Sequence, residues 1–406
     1  MKVIIKPSKA RGEIYAPPSK SMAHRLLICA GLTNGISTVS NIAFSQDILA
    51  TLDCLKTLGA DYSIDGSTVT VKGTNPSLYH GENILNCREC GSTLRFMIPL
   101  CMTGKEEAKL TGSTTLMERP LTVYSEIAKS QNLKYELNDG ILSVCGALTP
   151  GEYVVTGSIS SQFISGLLFT LPLLNGTSTL KLIPPVESRP YIDMTLQALS
   201  LYGIEVEEKD ENTFLVKGNQ QYKPCNTSVE GDYSNAAFLE ALNFTGGPVE
   251  VKGLNPHSLQ GDKIYMEMYK KLRGGNCSLD ISDCPDLGPV LFSVAALCDG
   301  AEFTGTKRLK WKESDRALAM KHELEKCGIS VAVEENRVIV NSGELKKPKE
   351  IICSHNDHRI AMSMVVVLTR IGGIIDCAEA VRKSYPDFFE HLKSLGVEVE
   401  TYGMDK

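Results

Sequence analysis

Aromatic residues make up only 6% of this 406-residue sequence, with a single tryptophan, and no uninterrupted apolar run approaches the roughly 18 residues that a membrane span requires. A spanning helix is therefore excluded. An excess of basic charge is missing too: 42 Lys and Arg face 48 Asp and Glu, for a net charge of -6 and a pI near 5.8. That balance excludes a broad nucleic-acid or anionic-membrane surface, so any polyanion site must be local. The opening Met1-Lys2-Val3-Ile4-Ile5-Lys6-Pro7 lacks a long apolar region followed by a small-residue cleavage site, which argues against secretion and for the cytoplasm.

Nucleotide and metal signatures are equally scarce. There is no GxGxxG, no GxxxxGKS and no GxxxxGKT, so neither a dinucleotide nor a P-loop site is indicated. The only Cys-x-x-Cys, Cys87-Arg88-Glu89-Cys90, has no second pair at zinc-ribbon spacing, and His355-Asn356-Asp357-His358 offers two histidines without a clear third ligand. No metal is expected, and His358 reads as a hydrogen-bonding partner. The 13 cysteines are odd in number and scattered, several inside apolar runs (Cys29, Cys54, Cys101, Cys298), as buried thiols in a reducing compartment would be.

What is present is length and repetition. A chain of 406 residues that is 42% hydrophobic is too long for one ordinary domain and predicts two. One unit recurs: an amphipathic segment closed by Gly or Asn, a short strand, a polar turn and often a second strand. Its copies run Thr51 to Gly73, Tyr124 to Gly146, Thr195 to Gly218, Met266 to Asp280, Ala319 to Gly343 and Phe389 to Thr401. In the first copy Leu52, Leu55 and Leu58 mark one helical face, Gly59 supplies the left-handed C-cap, and alternating Val69 and Val71 mark a strand. Six copies divide into three per domain. The fold class is α+β, with sheets outside and helices within.

Short clusters that join a basic residue to small hydroxyl residues stand at the starts of apolar helical patterns. Ser19-Lys20-Ser21 with Arg25 leads into Leu26-Leu27-Ile28; Gly91-Ser92-Thr93-Leu94-Arg95 leads into Phe96-Met97-Ile98; Ser160-Ser161-Gln162 leads into Phe163-Ile164. Helix starts carry unpaired N–H groups and the positive end of the dipole, which suit phosphate or carboxylate. One such cluster alone reads as an N-cap beside a solvated cation. Several in an acidic chain point to an enclosed anion pocket. The C-terminal half adds Lys312-Glu313-Ser314-Asp315-Arg316, Asn356-Asp357-His358-Arg359 and Arg382-Lys383-Ser384-Tyr385-Pro386. With Asp286, these place carboxylates beside cations, as proton transfer on a polyanionic substrate requires.

These residues, together with Glu118-Arg119-Pro120 and Ser188-Arg189-Pro190-Tyr191, give the chain an end-to-end resemblance to the 5-enolpyruvylshikimate-3-phosphate synthase family of enolpyruvyl transferases. The resemblance implies two similar domains of three βαβαββ repeats each, with the active site in the interdomain cleft. One domain would combine residues 1–14 with 229–406 and carry phosphoenolpyruvate and catalytic residues; the other would be continuous over 15–228 and bind shikimate 3-phosphate.

The implied reaction is transfer of the enolpyruvyl group of phosphoenolpyruvate to the 5-hydroxyl of shikimate 3-phosphate. By motif, Lys20, Ser21, Arg25, Ser160, Ser161, Gln162, Ser188, Asp286 and Lys312 would hold shikimate 3-phosphate. Lys20, Gly91, Arg119, Gln162, Arg316, Arg359 and Lys383 would hold phosphoenolpyruvate. Asp286, Glu313 and Lys20 would be catalytic, with Asp286 as base for the hydroxyl and Glu313 moving the C3 proton. No cofactor is implied, and the expected partners are the two small-molecule substrates, with the chain a monomer. Two departures from the family pattern leave Glu89 and Arg308 outside the assigned sites. The rival readings are a UDP-N-acetylglucosamine enolpyruvyl transferase, whose loop cysteine and N-terminal Lys-Asn pair are missing here, and a non-catalytic anion-binding protein of the same fold, which would have no use for Lys20, Asp286 and Glu313 together.

Overall fold

A computed structural model describes residues 1–81 and 83–403. The chain divides into two compact units, Lys20–Val229 and a discontinuous one made of Met1–Ser19 and Glu230–Lys406, each with its own apolar core.

In the unit Lys20–Val229 the three sequence repeats become three four-stranded sheets with the same internal order. The first runs Asn226–Ser228, Ile36–Ser40, Thr68–Lys72, Asp61–Asp65; the second Ile84–Asn86, Ala108–Thr111, Ile141–Cys145, Lys134–Asn138; the third Glu152–Thr156, Ser178–Ile183, Thr213–Val216, Val206–Asp210. In each, the first pair is parallel and the remaining pairs antiparallel. The strands are half-buried, as alternation demands: Val69 and Val71 point to the core while Thr68, Thr70 and Lys72 do not.

Three helices, Lys20–Gly31, Gly91–Cys101 and Ser161–Thr170, lie inside and are buried on almost every face. Their close packing depends on small residues. A Cβ on Gly166 would stand 2.2 Å from Tyr124 Oη and 2.6 Å from the Arg95 carbonyl, so only glycine fits. Three amphipathic helices, Gln46–Thr57, Thr122–Ser130 and Arg189–Leu201, accompany them. The residue that opens each sequence repeat bonds between neighbouring inner helices. Thr51 Oγ1 lies 2.7 Å from both His24 Nδ1 and Thr93 Oγ1. Tyr124 Oη lies 2.7 Å from the Arg95 carbonyl and 3.1 Å from that of Phe163. Thr195 Oγ1 takes Arg25 Nε at 2.9 Å and sits 2.7 Å from Ser165 Oγ.

The discontinuous unit repeats the plan with substitutions. The sheet Ser278–Asp280, Ala301–Thr304, Arg337–Val340, Val331–Glu334 is complete. In another, the strand Lys2–Ile5 lies between Gly373–Asp376 and Val399–Tyr402, antiparallel to both, with Ile352–Cys353 at the edge. The third sheet has two strands among the described residues, Gly12–Tyr15 parallel to Val249–Lys252. The repeat Met266 to Asp280 thus keeps its helix, Tyr265–Arg273, but contributes no hairpin among the described residues. Inner helices Tyr233–Ala241, Gly288–Leu297 and His358–Ile371 fill the core.

The first crossing falls between Ser19 and Lys20 rather than at the expected Ile14 and Tyr15, and the second between Val229 and Glu230. Tyr15 pairs with Lys252, Pro18 bridges Gly231, and Ser19 N–H bonds the Glu230 carbonyl, so the chain leaves this unit five residues later than expected.

Candidate functional site

In the unit Lys20–Val229, the sequence clusters sit at the starts of inner helices. Lys20 opens the first and its Nζ meets Asp47 Oδ2 at 2.6 Å, both side chains being largely enclosed. Arg25, one turn on, is buried and already bonded: Nη1 to the Ser21 carbonyl at 2.7 Å, Nη2 to the Tyr191 carbonyl at 2.8 Å, Nε to Thr195. Burial lowers its pKa to about 10. These bonds fix Ser21 and the start of the helix.

The second inner helix begins at Gly91, where Cys90 Sγ accepts the Thr93 N–H. A Cβ on Gly91 would stand 3.0 Å from Arg119 Nη1, 3.2 Å from Arg95 Nη1 and 3.8 Å from Gln162 Oε1, so the bare glycine faces two guanidinium groups and an amide. Gln162 is held at both ends, accepting Arg95 Nη1 at 2.6 Å and donating to Ser92 Oγ at 2.8 Å. Ser160 caps the third inner helix by accepting the Gln162 N–H. Arg119 Nε is buried with no hydrogen-bond partner among the described residues. An anion at the Gly91 helix start would meet backbone N–H groups and both arginines. Ser188 sits apart at another helix start, buried with φ at 60°, a left-handed position that costs a non-glycine residue about 1–2 kcal/mol.

The discontinuous unit gathers four cations and three carboxylates. Asp286 Oδ1 takes Arg316 Nη1 at 2.8 Å and Lys312 Nζ at 3.1 Å; Oδ2 takes Arg359 Nη2 at 3.0 Å. Arg316 also bonds Glu313 Oε2 at 2.5 Å and, through Nε, Asp357 Oδ2 at 2.8 Å. Asp357 caps the helix His358–Ile371 by accepting the Arg359 N–H, and Lys383 Nζ donates to the Asn356 carbonyl.

The electrostatics follow from these contacts. Burial alone would raise the Asp286 pKa, but Arg359, Lys312 and Arg316 together hold it well below the usual carboxylate range. Arg316 is pushed up despite burial, by Asp357, Glu313 and Asp286. Lys312 is lowered, because burial outweighs the pull of Asp286.

The structure therefore brings Gly91, Arg119 and Gln162 together in one unit, and Asp286, Lys312, Glu313, Arg316 and Arg359 together in the other, with Lys383 tied to the adjoining turn. It adds residues that sequence reasoning passed over. Arg95 and Asp357 stand inside motif clusters without an assigned role, and Asp47 in none; their partners lie far away in sequence. Arg308 is buried with Nη2 on the Ser282 carbonyl, and Glu89 is half-buried. Two side-chain groups, His24 with Asp47 and Cys90, and His322 with Glu323 and His355, have donor atoms close enough for one metal ion. The first is wholly buried, and burial keeps His24 neutral.

Comparison with known proteins points to one family. Residues 4–392 match the family model for EPSP synthase (3-phosphoshikimate 1-carboxyvinyltransferase). The chain is 40% identical over its whole length to the 3-phosphoshikimate 1-carboxyvinyltransferase of Clostridium kluyveri, covering 99% of it. It is also 40% identical to that of Clostridium perfringens strain 13, over 97% of this chain and 98% of the relative. An EPSP synthase structure from Acinetobacter baumannii shares the fold with a TM-score of 0.78 at 23% identity, covering 98% of this chain and 100% of its own.

Proposed function

The chain belongs to the EPSP synthase (3-phosphoshikimate 1-carboxyvinyltransferase) family, and from that premise we infer how its residues share the reaction. It is a transferase of the shikimate pathway to chorismate and the aromatic amino acids. It moves the enolpyruvyl group of phosphoenolpyruvate to the 5-hydroxyl of shikimate 3-phosphate and releases inorganic phosphate. The observation that carries the assignment of residues is the bare face of Gly91, where a Cβ would stand 3.0 Å from Arg119 Nη1, beside a buried Arg119 Nε that has no hydrogen-bond partner among the described residues.

In this reading Gly91, Arg119, Gln162, Arg316, Arg359, Lys383 and Lys20 serve phosphoenolpyruvate, and Arg95 joins them by holding Gln162. Lys20, Ser21, Arg25, Ser160, Ser161, Gln162, Ser188, Asp286 and Lys312 serve shikimate 3-phosphate. The 5-hydroxyl oxygen forms a bond to C2 as its proton leaves, and C3 gains a proton. The tetrahedral intermediate then loses a C3 proton and phosphate, restoring the double bond. Asp286 takes the hydroxyl proton. Its three cationic partners make it a poor base without ligand, and substrate oxyanions that draw on those cations raise its proton affinity. Glu313 moves the C3 proton, and Lys20 compensates developing charge.

The continuous unit then chiefly binds shikimate 3-phosphate, and the discontinuous one supplies acid-base groups. We further propose that the protein works as a cytoplasmic monomer; no described helix is long and apolar enough to cross a membrane. The test is phosphate release with both substrates. Release should require phosphoenolpyruvate and shikimate 3-phosphate together. Turnover with UDP-N-acetylglucosamine, or ligand binding without turnover, would overturn the reading.

A further inference from the structure

Outside the residues assigned above, metal-ligating side chains converge near the end of the helix Arg316–Lys326. Glu323 is fully buried and accepts hydrogen bonds from His355, Lys326 and His322. Its two oxygens keep different company. Oε2 takes Lys326 Nζ at 2.8 Å and the Cys353 N–H at 3.0 Å. Oε1 faces two imidazole nitrogens, His322 Nδ1 at 2.9 Å and His355 Nε2 at 2.8 Å.

We propose that His322, Glu323 and His355 form a binding site for a divalent transition-metal ion, with zinc as the occupant that the donor types favour. Two imidazole nitrogens and a carboxylate oxygen are the ligands zinc and its first-row neighbours take. The ion replaces the protons that the ring nitrogens direct at Oε1, each proton passing to the other ring nitrogen or to solvent. The observed separations are close to the about 3.0 Å edge of an octahedral set with bonds of about 2.1 Å, and about half an ångström short of a tetrahedral one. His322 can supply the adjustment because its side chain is 64% exposed, while the buried carboxylate stays fixed. The open side leaves the remaining positions to water.

The location gives the ion leverage. His355 and Asn356 are consecutive left-handed residues, with φ of 52° and 53°. Their turn presents the Asn356 carbonyl to Lys383 and Asp357 to Arg316. A metal on His355 clamps that turn and stiffens the positions of both cations. This consequence rests on the functional reading above; the binding itself does not.

The test uses the full, ligand-free chain, titrated with zinc chloride in a calorimeter and with cobalt(II) followed by visible absorption. One equivalent should bind and raise the melting temperature. His322→Ala, which removes an exposed ring, and His355→Ala should each weaken binding by about tenfold or more and abolish the cobalt spectrum. Unchanged affinity and spectrum in His322→Ala, or no saturable binding by the unaltered chain, would overturn the site. Neither readout involves turnover, so failure here is distinct from failure of the assigned activity.

Discussion

Arg316 Nε lies 2.8 Å from Asp357 Oδ2, and the two side chains are 1% and 0% exposed. The pair sits at the centre of the charged group in the discontinuous unit, since Arg316 also holds Asp286 and Glu313. Removing one member of a buried pair strands the other charge, so Arg316→Met should cost about 3–5 kcal/mol of stability. Urea denaturation measures this. A loss below about 1 kcal/mol would show that water or neighbouring cations can replace the guanidinium.

Lys20 separates a structural from a chemical role. Lys20→Met should lower turnover by about 10²-fold or more, and it should also destabilise the fold by leaving Asp47 enclosed without its 2.6 Å partner. The double variant Lys20→Met with Asp47→Asn should regain stability without regaining rate. Recovery of both would mean that Lys20 acts only by pairing.

Gly91→Ala should spare the fold and harm the substrate. The added methyl meets the ends of two flexible side chains at 3.0 and 3.2 Å, and these can give way by a few tenths of an ångström. The space they would share with phosphoenolpyruvate is what is lost. A clash of methyl size is worth about 1–3 kcal/mol, so KM for phosphoenolpyruvate should rise about 10- to 200-fold while the melting temperature holds. An unchanged KM would remove Gly91 from the site.

Asp262 confers a pH dependence on stability. Burial first and the charge of Asp286 second raise its pKa to about 6, against the pull of Arg359. Because the folded pKa lies above the unfolded value of about 3.9, the folded chain holds this proton more tightly. The contribution is fully present below about pH 4 and is lost as pH rises through about 6. Asp262→Asn cannot ionise, so its stability relative to the parent should improve by about 1–3 kcal/mol between pH 4 and pH 8. An equal difference at both pH values would contradict the assignment.

The repeats were legible in sequence because each is a local pattern, and the residues that open them, Thr51, Tyr124 and Thr195, proved to be the bonds between inner helices. The crossing point was not, because the pairing of Tyr15 with Lys252 involves no local signal. The same holds for the missing hairpin after Tyr265–Arg273, whose neighbouring helix pattern reads like its counterparts. At the site, motif residues near helix starts, Arg95 among them, are visible in sequence, whereas the bonds of Arg95 to Gln162 and of Glu323 to His355 depend on partners on other elements. Helix-start chemistry is written in adjacent residues; ion-pair networks are assembled by tertiary packing.

The strand Lys2–Ile5, hydrogen-bonded on one side to Gly373–Asp376 and on the other to Val399–Tyr402, imposes an order on biosynthesis. At about 5–20 residues per second, roughly 20–75 seconds separate the synthesis of Ile5 from that of its partner Gly373. Through that interval the first strand has neither neighbour, and its buried Val3 and Ile5 must be kept from foreign strand edges. The contiguous unit can meanwhile complete its own core, so the nascent chain passes through a stage with one finished half and one waiting for its last segment.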